Sequence, residues 1–166
     1  MPRRRFDLER SESRHLAPGA QSSAASRGRM HEEEVKMSTW SPQFLSILRI
    51  VSALLFLEHG TSKLLGVPPS AMHWSFQIAS LAGWSGILEF VGGILLVIGL
   101  FTRFTAFILS GEMAVAYFMV HAPKGFFPMM GGGNGGELAV LYCFVFLYLA
   151  AAGGGPWSLD RLRHRR

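Results

Sequence analysis

Four long apolar segments dominate the chain from residue 43 onwards, at about 43–65, 78–100, 104–120 and 137–152. A helix needs roughly 17–25 apolar residues to cross about 30 Å of hydrocarbon, so the first two segments qualify easily and the last two narrowly. Buried helices of a soluble domain are the alternative for the shorter pair. Four such segments leave too little polar surface for a soluble domain, so the pattern predicts a multi-pass membrane protein.

The apolar segments are predicted to be helices rather than barrel strands. Backbone groups in lipid must be hydrogen-bonded within the protein, which leaves helices or a closed barrel. Barrel strands alternate apolar and polar residues, whereas residues 94–100 and 141–152 are almost uninterrupted apolar runs. Glycines in the second segment allow helix backbones to approach closely. The expected fold is all-α, a four-transmembrane-helix bundle over residues 37–160.

The distribution of charge predicts the orientation of the bundle. Sixteen Lys and Arg residues against eleven Asp and Glu residues give a net charge of +5, and the basic residues are concentrated in the N-terminal flank, at Arg103 and in the tail 161–166. The positive-inside rule therefore places both termini in the cytoplasm of a bacterium, with the helices in the cytoplasmic (inner) membrane. No basic stripe interleaved with aromatic residues is present, which argues against a nucleic-acid partner.

Residues 1–36 are expected to lie outside the fold. They contain too little apolar surface to offset the entropy of ordering, which predicts a disordered tail. The alternative is a mis-annotated start, because the codons of Glu32–Lys36 can spell a ribosome-binding site just before Met37. Both interpretations stay open at this point.

Three charged side chains lie deep in separate predicted helices, namely Arg49, Glu89 and Glu112. At 1.5 Å per residue, each lies ~13–16 Å from the outer end of its helix, close to the bilayer midplane. An unpaired charge there is costly, so Arg49 is expected to pair with Glu89, Glu112 or both. The three form a candidate quinone or proton site, and fixing the register of the helices is the alternative role.

A second polar layer is predicted at the outer ends of the helices. A metal site is conceivable from the ligand types present, but their spacing is not diagnostic, so no metal is expected. Simpler roles are helix capping by a glutamate and local hydrogen bonding by a histidine. The predicted outer rim consists of Glu58, His59, Lys63, His121, Asn134 and Glu137.

Short motifs over about residues 40–160 resemble the DoxX family of small bacterial membrane proteins. In order they are Arg49, FLEHGTSKL at 56–64, EFVGG at 89–93, GLFTR at 99–103, EMAVAY at 112–117, NGGE at 134–137 and GPWSLD at 155–160. No single motif is as specific as a metal-binding signature, but their order and spacing together are specific. The matching polar positions are Arg49, His59, Lys63, Glu89, Arg103, Glu112 and Glu137.

The resemblance implies a redox-associated membrane subunit. The family is linked to quinone-dependent sulfur oxidation, and some of its members look like subunits of thiosulfate:quinone oxidoreductases. Others are associated with redox or thiol-stress responses as membrane partners of soluble redox enzymes. Quinone is therefore the implied cofactor and a soluble redox enzyme the implied partner.

The residues themselves leave the activity open. Cys143 is the only cysteine, so the chain has no dithiol of its own, and no haem, flavin or iron–sulfur motif is present. Whether the chain is itself an enzyme is therefore undecided. A non-catalytic membrane scaffold is one alternative. A small proton-coupled carrier is another, and it would require a homo-oligomer to build a pathway across the bilayer.

Overall fold

The computed structural model describes residues 18–69 and 80–163. All regular structure in these ranges is helical, which confirms the all-α prediction. The helices are α1 (Pro18–Leu65), α2 (Leu81–Ile98), α3 (Thr102–Ala116), α4 (Glu137–Ala152) and α5 (Leu159–Arg163), and α3 is continued by a π-helical turn (Tyr117–His121) and a 3₁₀ turn (Ala122–Lys124).

The chain divides into two compact units, Met1–Ser41 and Pro42–Arg166. In the first unit the backbone is helical from Pro18, and the disorder predicted for residues 1–36 stays a prediction. Alanine, glutamate, arginine and methionine are strong helix formers, and this segment is rich in them, so local propensity favours helix there. Residues 1–17 lie outside the described ranges, and a start at Met37 stays a prediction.

Three helical stretches of the described chain are long and apolar enough to cross a membrane, namely Trp40–Leu65, Leu81–Ile98 and Thr102–Lys124. Glu137–Ala152 is a fourth, shorter apolar helix. The four-helix prediction is confirmed, with the fourth segment at its predicted bounds. The placement of both termini in the cytoplasm stays a prediction.

Aromatic packing joins α1 to α4 at the centre of the second unit. The ring of Phe56 lies edge-on to that of Phe146, with 4.8 Å between centroids, and 5.3 Å from that of Tyr142. Such pairs add about 0.5–1.5 kcal/mol beyond the burial of their area. The buried core consists of Ala53, Phe56, Leu96, Ala106, Leu109, Met113, Ala139, Tyr142, Phe146 and Leu149.

A close approach of two helix backbones brings α1 against α2. A Cβ atom added at Gly60 would lie only 2.5 Å from the backbone nitrogen of Phe90 and 2.9 Å from the carbonyl carbon of Glu89. Only glycine fits this contact without moving the helices apart. Gly60 therefore sets the distance at which the polar side chains of α1 and α2 meet.

Candidate functional site

An ion pair between α1 and α2 is the centre of the candidate site. The Nζ atom of Lys63 lies 2.6 Å from Oε1 of Glu89 and 2.9 Å from Oγ of Ser85. Ser85 precedes Glu89 by four residues, so both lie on the face of α2 that meets α1. The Glu89 side chain is 3% exposed and that of Lys63 is 14% exposed. Both side chains of the pair are therefore largely buried.

A second carboxylate, from α3, joins this pair. Glu112 interacts electrostatically with both Glu89 and Lys63. Oε2 of Glu89 and both carboxylate oxygens of Glu112 are buried and accept no hydrogen bond. Buried polar atoms are normally satisfied, so three unsatisfied acceptors on two carboxylates that interact electrostatically require an explanation such as a ligand or a proton. We call Lys63, Ser85, Glu89 and Glu112 the carboxylate cluster.

The predicted pairing of Arg49 with Glu89 or Glu112 is wrong. Glu89 is paired with Lys63, which lies about four helical turns, or ~21 Å, further along α1 than Arg49. The fully buried guanidinium of Arg49 instead donates to the carbonyl oxygens of Gly154 (2.9 Å), Val97 (2.7 Å), Trp157 (2.7 Å) and Leu96. Two of these carbonyls belong to the last turn of α2, where helix carbonyls have no partner within the helix.

Arg49 is therefore part of a structural junction at the end of the bundle that contains the α2–α3 turn. The Asp160 carboxylate accepts hydrogen bonds from the backbone N–H groups of Phe101 and Thr102, each at 2.8 Å. Phe101 has a φ of 51°, in the left-handed region that a phenylalanine rarely adopts. Arg103 donates to the last carbonyls of α4, those of Ala150, Ala151 and Ala152.

The environment of Asp160 lowers the pKa of its carboxyl group below the ordinary value of 3.8. Partial burial acts in the opposite direction, since it disfavours the charged form. Hydrogen bonds from Thr102 and Phe101 and the nearby charge of Arg163 outweigh it. Asp160 is thus held as an anion at the start of α3, where a negative charge is favourable.

The predicted outer rim separates into three groups. Lys63 belongs to the carboxylate cluster. His121 and Asn134 meet in a second contact, where Nδ1 of His121 lies 3.1 Å from the carbonyl oxygen of Asn134. The Asn134 amide also donates to Gly125 O at 2.9 Å and to the hydroxyl of Tyr117 at 3.4 Å. These bonds fix the loop between α3 and α4 onto the π-helical turn.

The remaining rim residues are exposed, and His59 also interacts electrostatically with Glu89. Glu58 and Glu137 are exposed, and Glu137 lies in the first turn of α4, where its charge favours the helix dipole. The exposed His59 has Nδ1 3.1 Å from the carbonyl oxygen of Leu55, and its ring lies edge-on to Tyr142. Among residues 18–69 and 80–163, no three His, Cys, Asp or Glu side chains converge to hold a metal ion.

Sequence reasoning missed Ser85 and gave Lys63 the wrong neighbours. Ser85 had a signal, since a polar residue four positions before a buried glutamate shares its helix face. Lys63 carried a second signal, because a long side chain near a helix end reaches several ångströms toward its charge partner. Lys63 is the lysine of α1 that pairs with Glu89.

The carboxylate cluster has the chemistry of a donor–acceptor site. Lys63 supplies N–H donors, and Glu89 and Glu112 supply acceptors with three free oxygen atoms. Two carboxylates near a single ammonium group carry one negative charge in excess, which burial makes costly unless a proton or a ligand compensates it. The chemistry of the cluster is therefore suited to exchange of a proton or binding of a small polar group.

The model of the DoxX family matches residues 44–122, which contain Arg49 and all four residues of the carboxylate cluster. The chain belongs to the DoxX family. The predicted resemblance is confirmed, and the matched range covers α1 from Phe44, α2, α3 and the π-helical turn.

Three bacterial proteins are similar to this chain in sequence. An uncharacterized protein of Haemophilus influenzae is 48% identical over 128 residues, which cover 75% of this chain and 93% of that protein. A second uncharacterized protein of the same organism is 29% identical, over 71% and 82% of the two chains. Inner membrane protein YqjF of Escherichia coli K12 is 28% identical, over 72% of this DoxX chain and 92% of YqjF. No solved structure matches the chain significantly.

Proposed function

We propose that this DoxX-family chain is a redox-associated subunit of the bacterial cytoplasmic membrane that binds a quinone head group at the carboxylate cluster. The observation that carries the proposal is the set of three buried oxygens of Glu89 and Glu112 without hydrogen-bond partners, together with a lysine that donates to Glu89. The name of the E. coli relative, an inner membrane protein, supports the proposed location.

The residues of the cluster fit the two states of a quinone. A quinone takes up two electrons and two protons, and so changes two carbonyl acceptors into two hydroxyl donors. Lys63 can donate to a carbonyl oxygen, and the free oxygens of Glu89 and Glu112 can accept from hydroxyl groups. The carboxylates also act as proton donors or acceptors beside the bound group. The same three residues therefore serve both states.

The electrons are expected to come from a soluble redox enzyme. Cys143 is the only cysteine, so the chain cannot cycle a disulfide alone and cannot provide the four thiolates of an iron–sulfur cluster. We therefore place this chain as the membrane partner of a separate electron donor. Catalysis by the assembly would require both proteins.

A proton-coupled carrier is the second candidate. Buried carboxylates in membrane helices are typical of proton relays in transporters, and Glu89 and Glu112 are such groups. A carrier predicts proton-linked flux in vesicles that contain this chain alone. The quinone-binding subunit predicts no such flux.

The proposal is tested by quinone binding to the full-length chain in lipid nanodiscs. Wild-type protein and the Glu89→Gln and Glu112→Gln variants are titrated with a short-chain ubiquinone or menaquinone, and bound quinone is measured after separation from the free compound. Glu58→Gln is the matched control, because Glu58 is an exposed glutamate of α1. Circular dichroism checks that all four proteins keep their helices.

A hydrogen bond to a charged group contributes about 1.5–3 kcal/mol, so loss of one should weaken quinone binding about 10- to 100-fold. We expect this loss in Glu89→Gln and Glu112→Gln and unchanged binding in Glu58→Gln. The proposal fails if wild-type protein binds no quinone, or if all three variants bind it as wild type does. Stable capture of a soluble enzyme without any quinone would instead favour a scaffold.

A further inference from the structure

The loop between α3 and α4, residues 125–136, combines an apolar surface with a fixed backbone. It contains two phenylalanines and two methionines and no charged residue. Phe126 is 86% exposed, Phe127 69%, Met129 58% and Met130 62%. Loops at a protein surface are normally polar, so four large apolar side chains directed outward from one loop require an explanation.

The exposure of these side chains follows from the hydrogen bonds of the loop. The Oδ1 atom of buried Asn134 accepts a hydrogen bond from the Gly136 N–H at 2.8 Å. The backbone N–H of Asn134 donates to the Phe127 carbonyl oxygen at 2.7 Å. The Gly133 N–H donates to the Met129 carbonyl at 3.1 Å. A Cβ added at Gly133 would clash with the Phe127 carbonyl oxygen, so only glycine permits this turn. The backbone thus holds the apolar side chains outward.

The apolar surface of the loop continues that of the preceding membrane span. The span Thr102–Lys124 ends one residue before the loop. Its last turns carry Phe118 and Met119, which are 69% and 58% exposed. Lys124 is the only charged side chain between these residues and the loop, and a lysine at this level extends to lipid phosphates while its stem stays apolar.

We propose that Phe126, Phe127, Met129 and Met130 insert into the bilayer at the boundary between headgroups and acyl chains. Continuity with the lipid-facing span favours lipid over a soluble partner, because the polar side chains between the two surfaces are only those of His121 and Lys124. The absence of charge favours the same occupant, since an apolar face without charge gains free energy by leaving water for acyl chains. The rings of Phe126 and Phe127 lie edge-to-face, 5.2 Å apart, and form the centre of the inserted surface.

The insertion is tested with a polarity-sensitive thiol probe on the full-length chain in phosphatidylcholine vesicles. Cys143→Ser removes the native thiol, and Phe126→Cys or Met130→Cys introduces the labelled site. Gly132→Cys is the matched control in the same loop, because Gly132 is exposed and only a methionine end lies near its added Cβ. Phe107→Cys, on the exposed face of α3, reports a site within the acyl chains.

Two quenchers distinguish the surroundings of the probe. One is a phospholipid with a nitroxide near the headgroup, and the other is iodide present on both sides of the vesicle. We expect the lipid nitroxide to quench the probe at residues 126 and 130 several-fold more strongly than at 132, and iodide to show the reverse order.

Equal iodide quenching at residues 126, 130 and 132 would overturn the proposal, since the loop would then lie in water. A second result would also overturn it: the probes at 126 and 130 are protected from both quenchers, and this protection weakens as the protein is diluted into more lipid. The loop would then be covered by a second copy of the chain.

Discussion

Replacement of Lys63 by methionine tests the ion pair on which the candidate site depends. The substitution keeps most of the volume of the side chain and removes its charge. The carboxylate of Glu89, whose side chain is 3% exposed, then loses the ammonium group that lies 2.6 Å away in wild type. Removal of one partner of a buried pair costs about 3–5 kcal/mol, because the remaining charge is buried without compensation.

The reverse substitution should cost less. In Glu89→Gln the remaining Lys63 still bonds to Ser85, and its side chain is 14% exposed, so its charge keeps a partner and some contact with its surroundings. We expect about 1.5–3 kcal/mol, the contribution of one hydrogen bond to a charged group. The double variant should be more stable than Lys63→Met alone, because it leaves one buried carboxylate, that of Glu112, without the ammonium group instead of two.

The assay is unfolding of the purified protein in mixed micelles by increasing detergent, followed by circular dichroism. The four proteins form a double-mutant cycle, and the coupling energy is the quantity compared. The reasoning is refuted if Lys63→Met unfolds at the same detergent fraction as wild type. It is also refuted if the two substitutions add without coupling, since an ion pair in contact must couple them.

Three further predictions concern the rest of the bundle, each measured by the same unfolding assay. Arg49→Lys should lose about 2–4 kcal/mol, because an ammonium group cannot reach four separate carbonyls as the guanidinium does, and wild-type stability would exclude the junction. Gly60→Ala should lower the free energy of unfolding by about 1–3 kcal/mol, because its Cβ clashes with the α2 backbone. Gly111→Ala is the control and should be neutral or stabilising, because nothing lies within 4 Å of its added Cβ. Equal effects of the two substitutions would contradict the close approach of α1 and α2. Asp160→Asn should lose about 0.5–2 kcal/mol of capping free energy at pH 7. Because the folded-state pKa of Asp160 is lowered, its contribution to stability is present above pH 3.8 and declines as the pH falls below that value. The free energies of unfolding of wild type and Asp160→Asn should therefore converge at low pH. A difference that stays constant with pH would count against this role of Asp160.

The helices could be predicted because lipid imposes a simple requirement on the sequence. A span must be apolar over a set length, so the end of α1 at Leu65 and both ends of α4 follow from the pattern of apolar residues. The π-helical turn after α3 was not predictable from this pattern. It depends on the contacts of Tyr117 and His121 with Asn134 in the following loop.

The candidate site was predicted only in part. Glu89 and Glu112 were chosen because charge in a membrane helix is costly, and the structure brings both close to Lys63. Arg49 was assigned to them by counting residues from the helix ends. That count cannot include the segment after α4, which folds back and presents carbonyls of Gly154 and Trp157 to the guanidinium. Contacts made by irregular backbone have no periodicity from which they can be read.

Photolabelling with an azidoquinone tests the central claim most directly. The full-length protein in native-like lipid is irradiated with the labelled quinone, digested, and mapped by mass spectrometry, with excess unlabelled quinone as competitor. The account predicts competable labelling of α1, α2 and α3 close to Lys63, Glu89 and Glu112, and loss of that labelling in Glu112→Gln. Labelling confined to the junction around Arg49, or labelling that unlabelled quinone does not reduce, would contradict it.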